Sequence, residues 1–335
     1  MIQDTHVTLA HGNGGRYMRE LIDEIFARHL RNDHLDVRVD AASLSLDSPD
    51  VVFTTDGFTV QPLEFPGGDI GSLAVHGTVN DLAVAGAIPK YLSLNAFIEE
   101  GLEIQQLERI VASLARAAAE SGVEVVAGDT KVLNRGEGGG LYLATTGIGF
   151  RDPELNPALE RIRDGDAILV SGTVGDHGIS VLLAREQYGL RGDLNSDSAS
   201  DLPLAQALRG MQGLHFMRDP TRGGLATVCH ELVRVTDMGI RLRQADVPIG
   251  DPVQSVCDIL GYDPLFLASE GRVVAIVDEN EAGQALDKWR SLAAGRDAAI
   301  IGQFDAALSQ VVLQTTIGGE RLLEELEDDP LPRIC

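Results

Sequence analysis

Residues 77–89 read GTVNDLAVAGAIP. They complete a small-sided apolar segment, Ile70 to Gly86, whose apolar spacing predicts a helix. They then lead into YLSLNAFIEE, residues 91–100, which predicts a strand. A helix that passes directly into a strand is a unit from which α/β proteins are built.

Strands and helices alternate on both sides of this stretch. Downstream, the periodic segment Ile104 to Ser121 predicts a helix, and further strands follow it. The charged, proline-containing segment 151–166, RDPELNPALERIRDGD, is typical of a linker, and a second mixed half follows it. The sequence therefore predicts an α/β (α+β) fold, with domains over residues 1–150 and 160–322 and a tail over residues 323–335.

The composition excludes several classes of protein. The 335 residues carry 27 Lys and Arg against 51 Asp and Glu, a net charge of −24, whereas nucleic-acid binders present basic patches. The chain start lacks the pattern of a signal peptide, and no run of about 18 apolar residues could span a membrane. The three cysteines suit neither a disulfide framework nor a CxxC metal site. We therefore expect a cytoplasmic protein that binds neither nucleic acid nor membrane.

Three aspartates of the first half indicate a metal–nucleotide site. Asp56 (TTDG), Asp81 (TVNDLA) and Asp129 (AGDTK) are predicted to lie at strand or helix ends, beside small residues. Mg²⁺ prefers oxygen ligands and commonly bridges to substrate phosphates, and Lys131 could contact phosphate as a point charge. Helix caps, turn residues and a surface lysine are the ordinary alternatives. We interpret the four residues together as a Mg²⁺ and nucleotide site.

The glycine-rich loop HGNGG, His11 to Gly15, precedes a segment with helical apolar spacing. Glycines before a helix allow backbone N–H groups to approach an anion, and the helix dipole adds to the attraction. Gly12, Gly14 and Gly15 are therefore candidate phosphate contacts, and an ordinary glycine turn is the alternative. The loop is not a P-loop, because no Gly-Lys-Ser/Thr follows it.

Two motifs of the second half contain candidate ligand contacts. GDHG contains Asp176, and RDPTRGG contains Asp219, Thr221 and Arg222 ahead of a predicted helix. An arginine offers forked donors that suit phosphate or carboxylate. An Asp-Pro turn with a helix cap is the alternative for the second motif. Between the two motifs, the polar stretch RGDLNSDSASD, residues 191–201, is predicted to form a surface loop.

The tail ends in PLPRIC, so that one of the three cysteines, Cys335, is the last residue. Arg333 favours its thiolate, whereas the terminal carboxylate and the acidic run EELEDDP oppose it. The prolines stiffen and extend the segment, and the chain beyond Glu320 could reach roughly 50 Å. A terminal cysteine without function is the alternative. We expect an arm that can enter its own active site or that of a partner.

Together the motifs resemble a known family. DLAVAGAIP, residues 81–89, fits the D-x4-G-A-x-P signature of the PurM-like superfamily, which is named for aminoimidazole ribonucleotide synthetase. FPGGDIG, GTVNDLAVAGAIP, GDTKV, SGTVGDHG, MRDPTRGGLAT and the terminal PRIC are together similar to the HypE family of NiFe-hydrogenase maturation factors. The resemblance extends over essentially the whole chain, and PRIC is its most specific element.

The resemblance implies a function for the tail. In the HypE family, the partner HypF transfers a carbamoyl group to the sulfur of the terminal cysteine, here Cys335. The enzyme then uses ATP to dehydrate this S-carboxamide to a thiocyanate. The cyanide passes to iron on a HypC–HypD complex and becomes a ligand in the hydrogenase. The implied architecture is two PurM-like domains, with the N-terminal halves paired in a homodimer and a tail that takes at least two positions.

The resemblance also suggests roles for the candidate residues. Asp56, Asp81 and Asp129 would hold Mg²⁺, with Lys131 near the phosphates of ATP. Glu270, in ASEGR, is the candidate for proton removal from the carbamoyl nitrogen, with Lys131 as the alternative. A glutamate beside a glycine is otherwise ordinarily solvated.

Two other functions stay open. A different PurM-like enzyme, such as a purine-pathway synthetase, a thiamine-phosphate kinase or a selenophosphate synthetase, would share the ATP site but would not need a terminal cysteine. A non-catalytic scaffold could dock its tail into a partner or bind a metal through its thiol. It would have little use for the aspartates, and structural zinc requires four ligands.

Overall fold

The computed structural model describes residues 2, 4–13, 15–39, 41–46, 48–185, 189–190, 192–326, 331 and 334. Two predicted site residues, Gly14 and Cys335, lie outside the described residues. Within the described part of the chain, no helix is long and apolar enough to cross a membrane.

The first half forms a four-stranded sheet in the order β1-β6-β4-β5, together with a two-stranded β2–β3 ribbon. Its elements are α1 (Arg16–Leu21), β1 (Val51–Phe58), β2 (Glu64–Phe65), β3 (Gly68–Asp69), α2 (Ile70–Val84), β4 (Ala87–Glu99), α3 (Ile104–Glu120), β5 (Glu124–Leu133) and β6 (Leu141–Arg151). The strands pair antiparallel except for β4 and β5, which are parallel. The predicted helix over residues 70–86 and the strand that follows it are confirmed.

Helix α2 lies at the centre of the first half, and its small side chains are required there. The carboxylate of Asp69 begins the helix by accepting a hydrogen bond from the backbone N–H of Gly71 at 2.8 Å. A Cβ on Gly71 would lie 2.4 Å from the carbonyl oxygen of Ile110 in α3, and one on Gly77 would lie 2.8 Å from the ring of Phe58 in β1. The close approach of α2 to both neighbours therefore depends on glycine.

The second half forms a seven-stranded sheet in the order β13-β12-β9-β11-β7-β10-β8. Its elements are β7 (Ala167–Val170), α4 (Asp176–Ala184), α5 (Leu202–Ala207), β8 (Leu214–Arg218), α6 (Gly224–Thr236), β9 (Gly239–Arg243), α7 (Asp251–Leu260), β10 (Val274–Val277), α8 (Ala282–Arg290), β11 (Ala299–Asp305), β12 (Val311–Gln314) and β13 (Glu320–Leu322). Helices pack on both faces of this sheet, and buried Trp289 of α8 donates a hydrogen bond to the carbonyl of Leu204 in α5 at 3.0 Å. Two sheets with their own helices confirm the predicted α/β class.

The polar stretch before α5 forms a loop, as predicted, but it is exposed only at residues 192, 193 and 195, and Asp201 at its end is fully buried. Residues 192–201, which we call the seam segment, lie between the two halves. The amide of Asn80 in α2 donates to the carbonyl of Ala199 at 3.0 Å and accepts from the backbone N–H of Asp201 at 2.7 Å. On the other side, a Cβ on Gly271 would lie 2.0 Å from the carbonyl oxygen of Asp197. The backbone of the seam segment therefore contacts both halves.

Candidate active site

Acidic side chains converge where α2, the seam segment and the loops flanking β8 and β10 meet. We call this group the acidic cluster, and it contains Asp56, Asp81, Asp197, Asp201, Asp219 and Glu270. Each of these carboxyl groups has a raised pKa, and burial is the main cause in every case. A site of this kind either retains protons at neutral pH or attracts cations.

Asp56 and Asp81 face each other across the contact between β1 and α2. The hydroxyl of Thr54, also on β1, donates to Oδ2 of Asp81 at 2.7 Å. Burial raises the pKa of Asp81, and the nearby charge of Asp56 raises it further against the effect of the Thr54 hydrogen bond. Both aspartates lie inside their elements rather than at the ends, as does Asp129 in β5, so the predicted placement at element ends was wrong.

Glu270 is buried, with only 2% of its surface exposed, so the ordinary solvated alternative does not apply. Its backbone N–H donates to Oδ1 of Asp197 at 3.1 Å, whereas its side-chain Oε1 has no hydrogen-bond partner among the described residues. Burial, followed by the charges of Asp219 and Asp197, raises the pKa of Glu270 well above its ordinary value. Glu270 is therefore a carboxyl group that becomes a strong base once it is ionised.

Asp219 connects the motif RDPTRGG to the cluster. Burial and the charge of Asp81 raise the pKa of Asp219 to about 7. Exposed Arg222 lies close enough to Asp56 for its charge to lower the pKa of that carboxyl group, against the effect of burial. The loop ends in Gly224, where φ is +60° and a Cβ would lie 2.5 Å from the carbonyl oxygen of Leu267. The motif thus places second-half residues beside the first-half aspartates. Thr221 lies in the same turn, where its carbonyl accepts from the backbone N–H of Gly224.

Arg272 supplies positive charge at the edge of the acidic cluster. Its guanidinium lies 3.6 Å from Oδ2 of Asp176 and 3.6 Å from Oδ2 of Asp197, and its Nε donates to the carbonyl of Thr173 at 2.8 Å. Asp176 also accepts from the hydroxyl of Thr173. Sequence reasoning missed Arg272, Asp197 and Asp201, although the quoted motif ASEGR ends on Arg272.

Asp129 and Lys131 do not join Asp56 and Asp81 within this chain. On β5 they pair with Asn95 and Phe97 of β4, and these four side chains lie on the outer face of the sheet, away from α2. Asp56 lies on the inner face of β1, and the two strands between β1 and β5 place them about 14 Å apart. Nζ of Lys131 instead lies 2.8 Å from Oδ2 of Asp129, and this pairing lowers the pKa of Asp129.

The glycine loop packs against β5, close to this pair. A Cβ on Gly12 would lie 2.8 Å from Cβ of Val132, so glycine is required there for packing. Gly15 precedes α1 and has open space around it, whereas buried His11 accepts a hydrogen bond from the backbone N–H of Thr8 at 3.1 Å. Packing therefore explains Gly12, and phosphate contact by the loop stays a prediction.

The last two described residues of the tail pack in the hydrophobic core that also contains residues of α4. Leu331 and Ile334 are buried, with 5% and 3% of their surfaces exposed. The carbonyl oxygen of Ile334 lies 2.8 Å from Nε2 of His177, the residue after Asp176. The end of the chain thus approaches the same seam as Glu270.

Over the described residues, no group of three or more His, Cys, Asp or Glu side chains is arranged so that it could hold a metal ion. Both carboxylate oxygens of buried Asp201 nevertheless lack a hydrogen-bond partner among these residues. Crowded carboxyl groups with raised pKa values and unused oxygens have the chemistry of a site for a hard cation.

Family models match both halves of the chain. Residues 38–150 match the AIR synthase related protein, N-terminal domain, and residues 163–313 match the AIR synthase related protein, C-terminal domain. The carbamoyl dehydratase HypE of Azotobacter vinelandii is 45% identical over 336 residues, which cover 100% of this chain and 98% of that protein. The predicted PurM-like two-domain fold is therefore confirmed.

Solved structures agree with these matches. A crystal structure of hydrogenase maturation protein HypE in complex with ATP has a TM-score of 0.92 and 44% identity, over 98% of this chain and 99% of that one. A crystal structure of a HypE–HypF complex has a TM-score of 0.80 and 40% identity, over 91% of this chain and 99% of that one.

Proposed function

We propose that this chain, which belongs to the HypE family of carbamoyl dehydratases, dehydrates a carbamoyl group on its own Cys335 to a thiocyanate. The proposed reaction consumes ATP. The observation that supports this proposal is that two adjacent residues of the seam segment make hydrogen bonds toward the carrier tail and toward the candidate base. Ser196 hydrogen-bonds His177, which contacts the residue before Cys335, and Asp197 accepts from the backbone N–H of Glu270. These contacts support a reaction in which the carrier end of the chain meets a buried base.

The reaction converts an S-bound C(=O)NH₂ group and ATP into an S-bound C≡N group, ADP, phosphate and a proton. The carbamoyl oxygen takes the γ-phosphoryl group of ATP, and the nitrogen gives up one proton. The nitrogen then loses its second proton as the C–O bond breaks, so that the former amide oxygen leaves in phosphate. Phosphorylation is required because the oxygen of an amide is otherwise a poor leaving group, and the protein contributes positioning and electrostatics.

Glu270 is the proposed acceptor of a proton from the carbamoyl nitrogen. Its burial removes competing water, and its raised pKa makes the ionised carboxylate strongly basic. Lys131 is the alternative base, but it lies on the outer face of the four-stranded sheet and is paired with Asp129. Because Glu270 lies at the seam and Lys131 does not, Glu270 is the favoured base for a carbamoyl group on a tail that enters there.

The raised pKa values of the acidic cluster fit a Mg²⁺ ion. Asp56, Asp81 and Asp219 would hold it, because their charges already interact. Bound there, Mg²⁺ would neutralise charge on the triphosphate of ATP. Arg222, whose charge acts on Asp56, would donate hydrogen bonds to phosphate oxygens. This set differs from the sequence prediction in using Asp219 where Asp129 was expected.

We further propose that the outer faces of two four-stranded sheets pair in a homodimer. That face exposes Phe53 by 65% and Phe97 by 37%, and large apolar side chains together on one sheet face are typical of an interface. Asp129 and Lys131 lie on the same face, so pairing would bring them from one subunit toward the ATP site of the other. The glycine loop, which packs on β5, would accompany them.

The proposed partners are HypF, as carbamoyl donor, and a HypC–HypD complex, as cyanide acceptor. A solved HypE–HypF complex supports the first of these. A cytoplasmic location is proposed because Cys229 and Cys257 are buried free thiols, which suits a reducing compartment.

Replacement of the carrier tests this function against a small-molecule kinase or synthetase of the same fold. Cys335→Ala should abolish ATP consumption that depends on HypF and a carbamoyl donor, whereas Cys257→Ala should retain it. A small-molecule enzyme would turn over its substrate equally well in both variants.

A further inference from the structure

His177 makes a hydrogen bond to the tail from a fully buried position. Its Nε2 lies 2.8 Å from the carbonyl oxygen of Ile334, which belongs to the peptide bond that joins Ile334 to Cys335. The edge of the His177 ring also packs against Phe65, with a centroid distance of 5.4 Å and an interplanar angle of 87°. The hydrogen bond from His177 to the tail is therefore to the backbone beside the carrier residue.

The hydrogen bonds of the His177 ring determine which of its two nitrogens carries a hydrogen atom. A carbonyl oxygen only accepts hydrogen bonds, so Nε2 must carry the hydrogen and donate it. Nδ1 then accepts from the hydroxyl of Ser196 at 2.8 Å, and Ser196 Oγ in turn accepts from the backbone N–H of Ser198 at 3.0 Å. Burial lowers the pKa of His177 to about 4, so the ring is neutral at physiological pH. The hydrogen bonds from Ser198 through Ser196 and His177 to Ile334 thus all run in the same direction from donor to acceptor.

We propose that His177, oriented by Ser196, is a positioning residue that holds the Ile334 carbonyl and thereby places Cys335 for dehydration. Its consequence for catalysis depends on the proposed function, but the contact itself does not. The backbone N–H of His177 also hydrogen-bonds Asp197, the residue that accepts from Glu270, so one short segment orients both carrier and base. When the tail leaves, Nε2 loses this acceptor, and the hydrogen bond therefore favours the docked tail.

The first test measures access to the thiol of Cys335 in the full chain with N-ethylmaleimide. Cys229 and Cys257 are internal controls, because burial raises the pKa of each thiol to about 12. His177→Phe keeps a buried ring against Phe65 but removes the donor. It should label Cys335 about fivefold faster than the unaltered chain, the shift expected from one net hydrogen bond.

Two further variants separate positioning from a general structural role. His177→Gln retains an amide donor and should restore most of the slow labelling, whereas exposed His6→Phe should have no effect. Ile334→Asp should displace the tail, because Ile334 is 97% buried. In that background, His177→Phe should not accelerate labelling further. Equal acceleration in both backgrounds, or a Gln variant that labels as fast as the Phe variant, would overturn the proposal.

The catalytic consequence is measured on protein carbamoylated at Cys335. His177→Phe should slow thiocyanate formation at saturating ATP at least fivefold without changing the KM for ATP, and His177→Gln should recover it. A raised KM with an unchanged maximal rate would overturn positioning of the tail. If no variant and not even the unaltered chain forms thiocyanate, the proposed function fails while the labelling result still decides the tail contact.

Discussion

The ammonium group of Lys131 lies 2.8 Å from Oδ2 of Asp129, on the sheet face opposite to Asp56. Residues that the sequence groups into one Mg²⁺ and phosphate site thus lie on opposite faces of one sheet, with Asp56 on the edge strand β1 and with Asp129 and Lys131 on the other edge strand, β5. Within one subunit they cannot contact the same phosphate group. Pairing of two subunits through the outer face is the arrangement that would let all of them act together.

Mixed dimers test this arrangement. If Lys131 of the partner subunit completes each site, Lys131→Ala and Glu270→Gln chains should each be inactive alone. Reassembled in equal amounts, they should convert about a quarter of the carbamoylated tails, because half of the dimers are mixed and each contains one intact site. Conversion is measured by mass spectrometry of the tail peptide.

A mixture as inactive as its components would place Lys131 in the site of its own subunit. Full activity of Lys131→Ala alone would remove this lysine from the site altogether.

Glu270→Gln should lower the rate of thiocyanate formation by about 10²–10⁴-fold, the usual contribution of a general base. The buried carboxyl group is replaced by a neutral group of the same shape, so the fold and ATP binding should be retained. The rate is followed by quenched-flow mass analysis of carbamoylated protein, with exposed Glu279→Gln as the matched control. Full dehydration by the Glu270 variant would exclude this residue as the base.

The same substitution should stabilise the protein increasingly as the pH rises. The pKa of Glu270 is higher in the folded than in the unfolded chain, so the stability contributed by its protonated form is complete only below about pH 4.5. That contribution falls as the pH rises toward the folded pKa, by at most about 1.4 kcal/mol per pH unit. Urea unfolding of Glu270→Gln at pH 5.5, 6.5 and 7.5 should therefore show a growing advantage over the unaltered chain. A constant difference would mean that Glu270 is ionised in the folded protein.

Asp81→Asn should weaken metal binding and raise the stability of the metal-free protein. The amide oxygen can still accept from Thr54, while the repulsion with Asp56 and Asp219 is removed. Without Mg²⁺, the variant should therefore have a higher melting temperature than the unaltered chain. Addition of Mg-ATP should stabilise the unaltered chain and the exposed Asp297→Asn control, but not Asp81→Asn. An undiminished Mg-ATP effect in Asp81→Asn would remove this residue from the metal site.

The sequence predicted the long elements because their patterns span many residues. The apolar segment that became α2 and the alternating strand β4 are examples. The five-residue strand β9, GIRLR, contains two arginines and escaped notice because its burial depends on pairing with β11 and β12. The burial of a short strand is determined by the strands it pairs with and is not visible in its own sequence.

The candidate site could be predicted only in part, for a similar reason. Asp56 and Asp81 occur in recognisable motifs, and the structure brings them together. Asp197 and Arg272 acquire their roles only where the two halves pack on each other, and a polar stretch gives no sign that some of its carboxyl groups will be buried. The face on which Asp129 lies follows from strand alternation, but only once β5 is known to continue through Leu133.

The intact mass of the C-terminal peptide is the most direct measurement. The protein would be carbamoylated by the proposed partner HypF and then incubated with Mg-ATP or with a non-hydrolysable ATP analogue. Loss of the mass of one water from the Cys335 peptide, with Mg-ATP alone, is the predicted result. An unmodified Cys335 while ATP is consumed would contradict the account and would indicate a small-molecule synthetase of the same fold.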